Sequence, residues 1–253
     1  MTVTNTGSAP LEVRISEQKR TSDGGHETAD LPWLTLTGAA ATGTVTLAAG
    51  KSTTVTATAD NAGVEPGVLV GDVLVASNAG KGETQLKPVR LATSAYWKGV
   101  DVGGSGHVGA DGFVWSPDQE LGRRPWGYVG GKARATKADI AGTKEDALFR
   151  TQRTGDTFSY VSRNAPAGTY RIGLDFAEIE KVKAGKRAFD VLVDGKPVLH
   201  DHDVQATVGA LTADMNTVTV EHAGVDLKIE LLREKGEDAP ILNALRVQED
   251  PRL

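Results

Sequence analysis

Hydrophobic and polar residues alternate with a period of two along much of the chain, the pattern of half-buried β-strands. In the first third the alternation appears in Leu11-Glu12-Val13-Arg14-Ile15, in Thr44-Val45-Thr46-Leu47 and in Thr53-Thr54-Val55-Thr56-Ala57-Thr58. Turn-forming residues separate these runs: Asn5-Thr6-Gly7, Ala49-Gly50-Lys51, Asp60-Asn61-Ala62-Gly63 and Glu65-Pro66-Gly67. Short strands at that spacing predict an antiparallel sandwich with hairpin connections. Further along, residues 169–179 alternate again, with Tyr170, Ile172, Leu174 and Phe176 on one face. The run at 188–193 ends in Asp194-Gly195, a strong signal for a two-residue hairpin. Runs at 216–220, 227–231 and 242–247 add strands. Helical turns are expected only near 137–141 or within 177–183. The pattern predicts an all-β chain of two tandem β-sandwiches, the second a jelly-roll.

Composition divides the chain. The first part is rich in Thr, Val, Ala and Gly, and most large aromatics lie after Thr93, beginning with Tyr96 and Trp97. The boundary is therefore placed at 91–95, giving domains 1–93 and 94–253. A chain of 253 residues suits two domains, each able to bury its own core. There is no cysteine, so disulfides and thiolate chemistry are excluded. The net charge of -5 argues against nucleic acid or an anionic membrane as partner. No apolar run reaches the roughly 20 residues that span a bilayer. The opening MTVTNTGSAP has no signal-peptide pattern and reads as a strand, so a piece of a larger secreted, extracellular protein is expected.

Several residues could carry chemistry. A sugar ring has an apolar face and a polar rim, and modules that bind it pair aromatic platforms with planar polar groups. Trp97, Trp115, Trp126 and Tyr128 sit in glycine-rich stretches of low regularity and are candidate platforms. Arg153 could fork onto hydroxyls or pair with Asp156 or Asp101. Asp101 and Asp118 could accept from hydroxyls or cap turns. Gly103 and Gly104 mark close approach of chain or ligand. Trp33 is expected to anchor the first sandwich. Asp175 and Glu178 invite comparison with the carboxyl pair of glycosidases. His200 and His202, two apart on a strand, would share a face and suit zinc, but no third ligand is apparent nearby. Residues 103–107 lack the last glycine of a nucleophile elbow. No catalytic residues, no cofactor and no metal site are assigned. A structural Ca²⁺ is conceivable, but no loop has the needed ligand density.

The order of motifs resembles known families. In the first domain VTNTG, LEVRIS, LPWLTLTG, TVTLAAGKSTTVTATAD and VEPGVLVGDVLVASN are similar to immunoglobulin-like sandwiches of secreted bacterial proteins, the BACON-like group in particular. In the second, GVDVGG (99–104), DGFVWSPD (111–118), RPWGY (124–128), DALFRTQRTGDTFSY (146–160), NAPAGTYRIGLDFAEIE (164–180), GKRAFDVLVDGKPVLHDHDV (185–204) and APILNALRVQE (239–249) follow one another as in the malectin family. That resemblance implies a non-catalytic sandwich binding glycans at loops of one end, through aromatics of the early loops and a few polar groups. Animal members recognise glucose disaccharides. Bacterial relatives are modules of secreted glycosidases or peptidases, and tandem tails of this kind resemble those of subtilisin-like peptidases.

Carried over by motif, Trp115 lies in the DG-aromatic element, and Trp126 and Tyr128 lie at the aromatic before Gly. Asp101 stands for the usual asparagine, and Arg153 matches the arginine of T-x-R. Asp201 and Asp203 match a D-x-D element, making Asp203 a candidate for ligand or cation. The aromatic that follows the arginine is replaced by Thr154-Gly155. The implied partners are an oligosaccharide, polysaccharide or glycoprotein, together with the catalytic domain of a parent enzyme. The alternative function is a protein-interaction or stabilising appendage without a sugar site. Exposed aromatics around a cleft favour the first reading, buried ones the second.

Overall fold

The computed structural model describes residues 1–21, 25–62, 64, 68–80, 84–94, 96–233 and 238–250. The expected turn at Glu65-Pro66-Gly67 lies outside the described residues. The chain forms two compact units: residues 1–93 with 110–113, and residues 94–109 with 114–253.

The first unit contains β1 (Thr2–Thr4), β2 (Leu11–Arg20), β3 (His26–Thr28), β4 (Leu34–Thr37), a one-turn α1 (Ala39–Thr42), β5 (Val45–Leu47), β6 (Ser52–Thr54), β7 (Thr56–Ala59), β8 (Val68–Ser77) and β9 (Thr84–Ala92). Strands β3-β2-β8-β9 form one antiparallel sheet, with β5 also on β2, while β1-β6 and β4-β7 form two small antiparallel sheets. The single strand expected over 53–58 is broken at Val55. There the chain leaves the β1 pairing for the β4 pairing and buries the Val55 side chain fully. Val13, Ile15, Leu31, Trp33, Leu34, Leu47, Val68 and Val73 fill the core.

Trp33 is 1% exposed, and its indole N–H donates to the Asp111 carbonyl at 2.8 Å. The Val70 amide likewise donates to the Gly112 carbonyl at 2.9 Å. Gly112 has φ +83, and a Cβ there would lie 2.5 Å from the Val70 carbonyl oxygen, so only glycine closes this contact. The stretch 110–113, assigned by sequence to the second domain, thus belongs to the first unit.

The second unit contains β10 (Trp97–Asp101), β11 (His107–Val108), β12 (Val114–Pro117), β13 (Trp126–Val129), β14 (Lys132–Ala135), α2 (Asp146–Phe149), β15 (Thr151–Thr154), β16 (Thr157–Ser162), β17 (Gly168–Ala177), β18 (Phe189–Val193), β19 (Lys196–His202), α3 (Val204–Thr207), β20 (Ala213–His222), β21 (Leu227–Arg233), β22 (Ile241–Leu242) and β23 (Ala244–Glu249). A six-stranded sheet, β11-β12-β10-β23-β17-β20, packs on a five-stranded sheet, β13-β16-β21-β18-β19. Tyr170, Ile172, Leu174 and Phe176 of β17 face Phe189, Val191 and Val193 of β18 and Leu227, Ile229 and Leu231 of β21. Each buried side chain of that size contributes about 1.5–3 kcal/mol. The period-two pattern is therefore the direct cause of the two-layer arrangement. A third sheet, β14-β15-β22, lies beside this core.

Asp194 and Gly195 close the β18–β19 hairpin with φ +50 and +75, the left-handed pair that a two-residue turn requires. The Asp194 carboxylate accepts from the Lys228 amide at 2.9 Å and lies 2.7 Å from His222 Nδ1. No helix forms at 137–141 or 177–183. In the first stretch the amides turn to other partners: Ala138 to Thr136 Oγ1, Ile140 to Asp146 Oδ1 and Ala141 to the Leu211 carbonyl. In the second, Ala177 still belongs to β17, and its amide donates to Asn243 Oδ1 at 2.8 Å.

Candidate functional site

The side chains singled out as ligand contacts divide into buried and partly exposed ones. Asp101 closes β10 and folds back over the following turn. Its Oδ2 accepts from the Gly106 amide at 2.9 Å, and its Oδ1 accepts from Thr151 Oγ1 at 3.0 Å. Burial raises its pKa above the usual carboxylate range. A Cβ on Gly104 would overlap the Asp101 carboxylate, and one on Gly103, at φ +76, would lie 2.6 Å from the Gln152 carbonyl oxygen. The double glycine therefore serves the approach of chain to chain.

Arg153 lies on β15 and is 4% exposed. It pairs with neither Asp156 nor Asp101. Its Nη2 and Nε donate to Asp118 Oδ2 at 2.7 and 3.1 Å. Asp118 also accepts from the Tyr160 hydroxyl at 2.9 Å and from the Gly103 amide at 2.8 Å. Asp156 instead holds Arg233 at 2.7 Å. A guanidinium so engaged has no fork left for a ligand, which corrects the expectation for Arg153.

Trp115 is 7% exposed on β12, with the Arg246 guanidinium 5.7 Å from its ring. It offers no face for stacking a sugar and acts as packing. Trp126 and Tyr128 alternate on β13, the edge strand of the five-stranded sheet, and pack partly buried against the core. Lys98 Nζ lies 5.6 Å from the Trp126 ring centre, and burial lowers the pKa of Lys98. The Arg153 guanidinium carbon lies 3.2 Å from the Tyr128 ring centre, so one face of that ring is already covered. Trp97, also partly buried, stands at the start of β10, in register with Gln248.

Asp203 is the N-cap of α3. Its Oδ1 accepts from the Ala206 amide at 2.9 Å and its Oδ2 from the Gly185 amide at 2.5 Å. Each oxygen thus accepts from one backbone amide, the N-cap arrangement. The two histidines do not share a face. Between the pairs Phe189–His202 and Val191–Leu199 the β19 strand carries one residue more than β18, with Asp201 at φ +48. This bulge turns His200 outward, 2.7 Å from Asp190, and His202 inward against Phe176 and Phe189. Asp190 from the neighbouring strand is the third donor that sequence spacing did not reveal beside His200 and Asp201. The carboxyl pair of Asp175 and Glu178 is likewise absorbed. Glu178 is 1% exposed and lies 3.1 Å from Arg187 Nη1, and Asp175 is buried, its pKa pushed up to about 6 by desolvation.

The second unit has a pocket of about 450 Å³ bounded by Gly131, Lys132, Arg134, Thr154, Gly155, Asp156, Glu180, Arg187 and Asp238. A run of ions forms its base. Arg187 Nη1 meets Glu178, its Nη2 meets Glu180 Oε2 at 2.9 Å, and Glu180 Oε1 lies 3.6 Å from Arg134 Nε. Among the residues bounding this pocket there is no aromatic ring. Of its charged residues only Asp156 was named from sequence, as a possible partner of Arg153, together with Glu178 beneath it. Glu180 and Arg187 lie inside recognised motifs, but Lys132, Arg134 and Asp238 carry no periodicity or spacing that would mark them. Strand β14 places Lys132 and Arg134, and Asp238 lies in the segment before β22.

Two packed sheets, antiparallel except for the β10–β12 pair, with a polar recess beside the third sheet, define a β-sandwich. The malectin domain model matches residues 97–251, more than half of the chain, and the chain belongs to the malectin family. Malectin-B of Xenopus laevis is 32% identical over 126 residues, covering 49% of this chain and 44% of that protein. Human malectin is 30% identical over 151 residues, covering 58% and 47%. The chain thus spans about half the length of the curated relatives it matches. Among solved structures, a Bacteroides uniformis β-glucuronidase aligns over 99% of this chain and 27% of its own, with TM-score 0.56 and 18% identity. The ANX2 ectodomain of Arabidopsis thaliana aligns over 98% and 80%, with TM-score 0.53 and 9% identity. At those identities the likeness is one of fold. Among the described residues no helix is long and apolar enough to cross a membrane.

Proposed function

We propose that the second unit is a non-catalytic carbohydrate-binding module, and that the chain is the targeting region of a larger secreted bacterial enzyme, a subtilisin-like peptidase or a glycosidase. The carrying observation is the polar pocket of about 450 Å³ within a malectin-family sandwich. Its volume suits one or two sugar rings, and its Arg, Asp, Glu and Thr groups are of the kind that engage vicinal hydroxyls. The curated relatives are malectins, and solved structures of the same fold include plant extracellular domains, which support an extracellular setting. In this reading the first unit, a BACON-like, immunoglobulin-like sandwich, is a spacer. Ligand recognition rests on the pocket, with Trp126, Tyr128 and Trp97 as the remaining partly exposed aromatics of the unit.

Calorimetric titration of the chain with maltose, nigerose, cellobiose and xylan and chitin fragments tests this. Saturable binding of one glycan, lost in Asp238→Ala, is the expected result. Silence toward all of them and toward charged saccharides at millimolar concentration overturns it. The favoured reading would then be the protein-interaction appendage, with the catalytic domain of the parent as partner.

A further inference from the structure

Toward the end of β19 an imidazole stands between two carboxylates. His200 Nδ1 lies 2.7 Å from Asp190 Oδ1, and its Nε2 lies 3.3 Å from Asp201 Oδ2. Neighbouring residues of a regular strand point to opposite faces. The bulge opposite Phe189 and Val191, with Asp201 at φ +48, breaks that rule and lets the adjacent side chains of His200 and Asp201 converge. Asp190 is placed by β18, and its Oδ1 accepts from the Asp201 amide at 3.0 Å. One donor atom from each of the three residues lies within 4.8 Å of the other two. The side chains of His200 and Asp201 are 71% and 65% exposed, so an ion reaches them from solvent. A neutral imidazole carries one N–H and donates to only one of its two carboxylates. At the other nitrogen a lone pair faces an oxygen lone pair, and a proton or a metal ion between them relieves the repulsion. Two carboxylates beside a neutral imidazole carry the charge that one divalent ion cancels.

We propose that Asp190, His200 and Asp201 form a site for a divalent transition-metal ion of the zinc class. Zinc binds imidazole nitrogen and carboxylate oxygen at about 2.0–2.2 Å, which sets tetrahedral ligand atoms roughly 3.3 Å apart. The donor atoms already lie near that spacing, and small rotations of the exposed side chains close the rest. The ion takes one imidazole nitrogen and one oxygen from each carboxylate, and water completes its coordination. A proton held by the coordinating nitrogen passes to solvent as the ion binds. The imidazole selects against calcium and magnesium, which prefer shells of oxygen alone. The site ties β18 to β19 at the ends remote from their turn, and it does not depend on the carbohydrate reading of the pocket.

The experiment is calorimetric titration of the full chain, stripped of metals with a chelator that is then removed, with zinc chloride and in parallel with calcium and magnesium chloride. Asp190→Asn and His200→Gln are titrated in the same way. His107→Gln serves as control, because His107 forms another histidine–carboxylate pair, 2.6 Å from Glu145. Circular dichroism of each variant checks that the fold is kept. The expected result is one zinc ion per chain in the wild type and in the control, with affinity reduced about tenfold or more in Asp190→Asn and in His200→Gln. Calcium and magnesium are expected to bind about tenfold or more weakly than zinc. No saturable zinc binding up to millimolar concentration overturns the inference. Zinc binding unchanged in either site variant overturns it as well, since the ion then sits elsewhere on the chain. Calcium bound in preference to zinc, and unaffected by His200→Gln, overturns the role given to the imidazole.

Discussion

Asp118 takes four hydrogen bonds from three residues: two from Arg153 and one each from Tyr160 and Gly103. All of them are lost together in Asp118→Ala, and a buried guanidinium is left without its counter-charge. The expected cost is roughly 3–5 kcal/mol, read as a fall in the denaturant midpoint. Asp175 behaves in the opposite sense. Desolvation and the nearby Asp214 raise its pKa to about 6, against the pull of Arg246. The native state therefore binds a proton that the unfolded chain, with a carboxyl near 3.9, has already released. Its contribution to stability is complete below about pH 4 and is lost as pH rises through about 6. Asp175→Asn removes that loss. Its denaturant midpoint relative to wild type should rise between pH 4 and pH 8; a constant difference across that range would show that Asp175 does not titrate this way. Neither effect was legible in the sequence. Asp118 looked like a turn residue and Asp175 like half of a catalytic pair, because burial and partners are set by strands far apart in the chain.

At the level of elements, the alternation of β17 and the Asp-Gly turn after β18 were readable, since both depend on residues adjacent in sequence. The break at Val55 was not, because a strand leaving one sheet for another keeps its period of two. The missing aromatic at Thr154-Gly155 now has a local reason. A Cβ on Gly155 would stand 2.8 Å from Gly131 Cα, where the segment leading into β14 runs against β15. Restoring an aromatic by Gly155→Tyr should therefore cost about 1–3 kcal/mol in thermal or denaturant unfolding and add no affinity for any sugar. A gain in sugar binding without loss of stability would show that the two segments can part. The β19 bulge teaches a similar lesson. One extra residue reverses the facing of the side chains on its two sides, so His200 and His202 diverge although their spacing in sequence says otherwise.

At the scale of the whole molecule, the first unit takes residues 110–113 into its own fold. A fragment ending at residue 93 lacks the carbonyl that receives the Trp33 indole and the one that receives the Val70 amide. Its Trp33 emission should shift to the red and its melting temperature should fall relative to a version that supplies the 110–113 strip. Equal melting of the two would show the strip to be dispensable. The sequence by itself determined what repeats locally: the strands, most turns, the two-part division and the family pattern of the second unit. Hydrophobic alternation and turn chemistry act between neighbours, so they can be read in a line. Only the tertiary structure decided which polar side chains would be consumed as braces and which would be left facing a cavity. Asp101, Arg153 and Asp203 found backbone or ionic partners, whereas Lys132, Arg134 and Asp238 were gathered at one pocket by strands and connections distant in sequence. The cost of an unpaired buried charge drives that sorting, and it acts only once the sheets have closed.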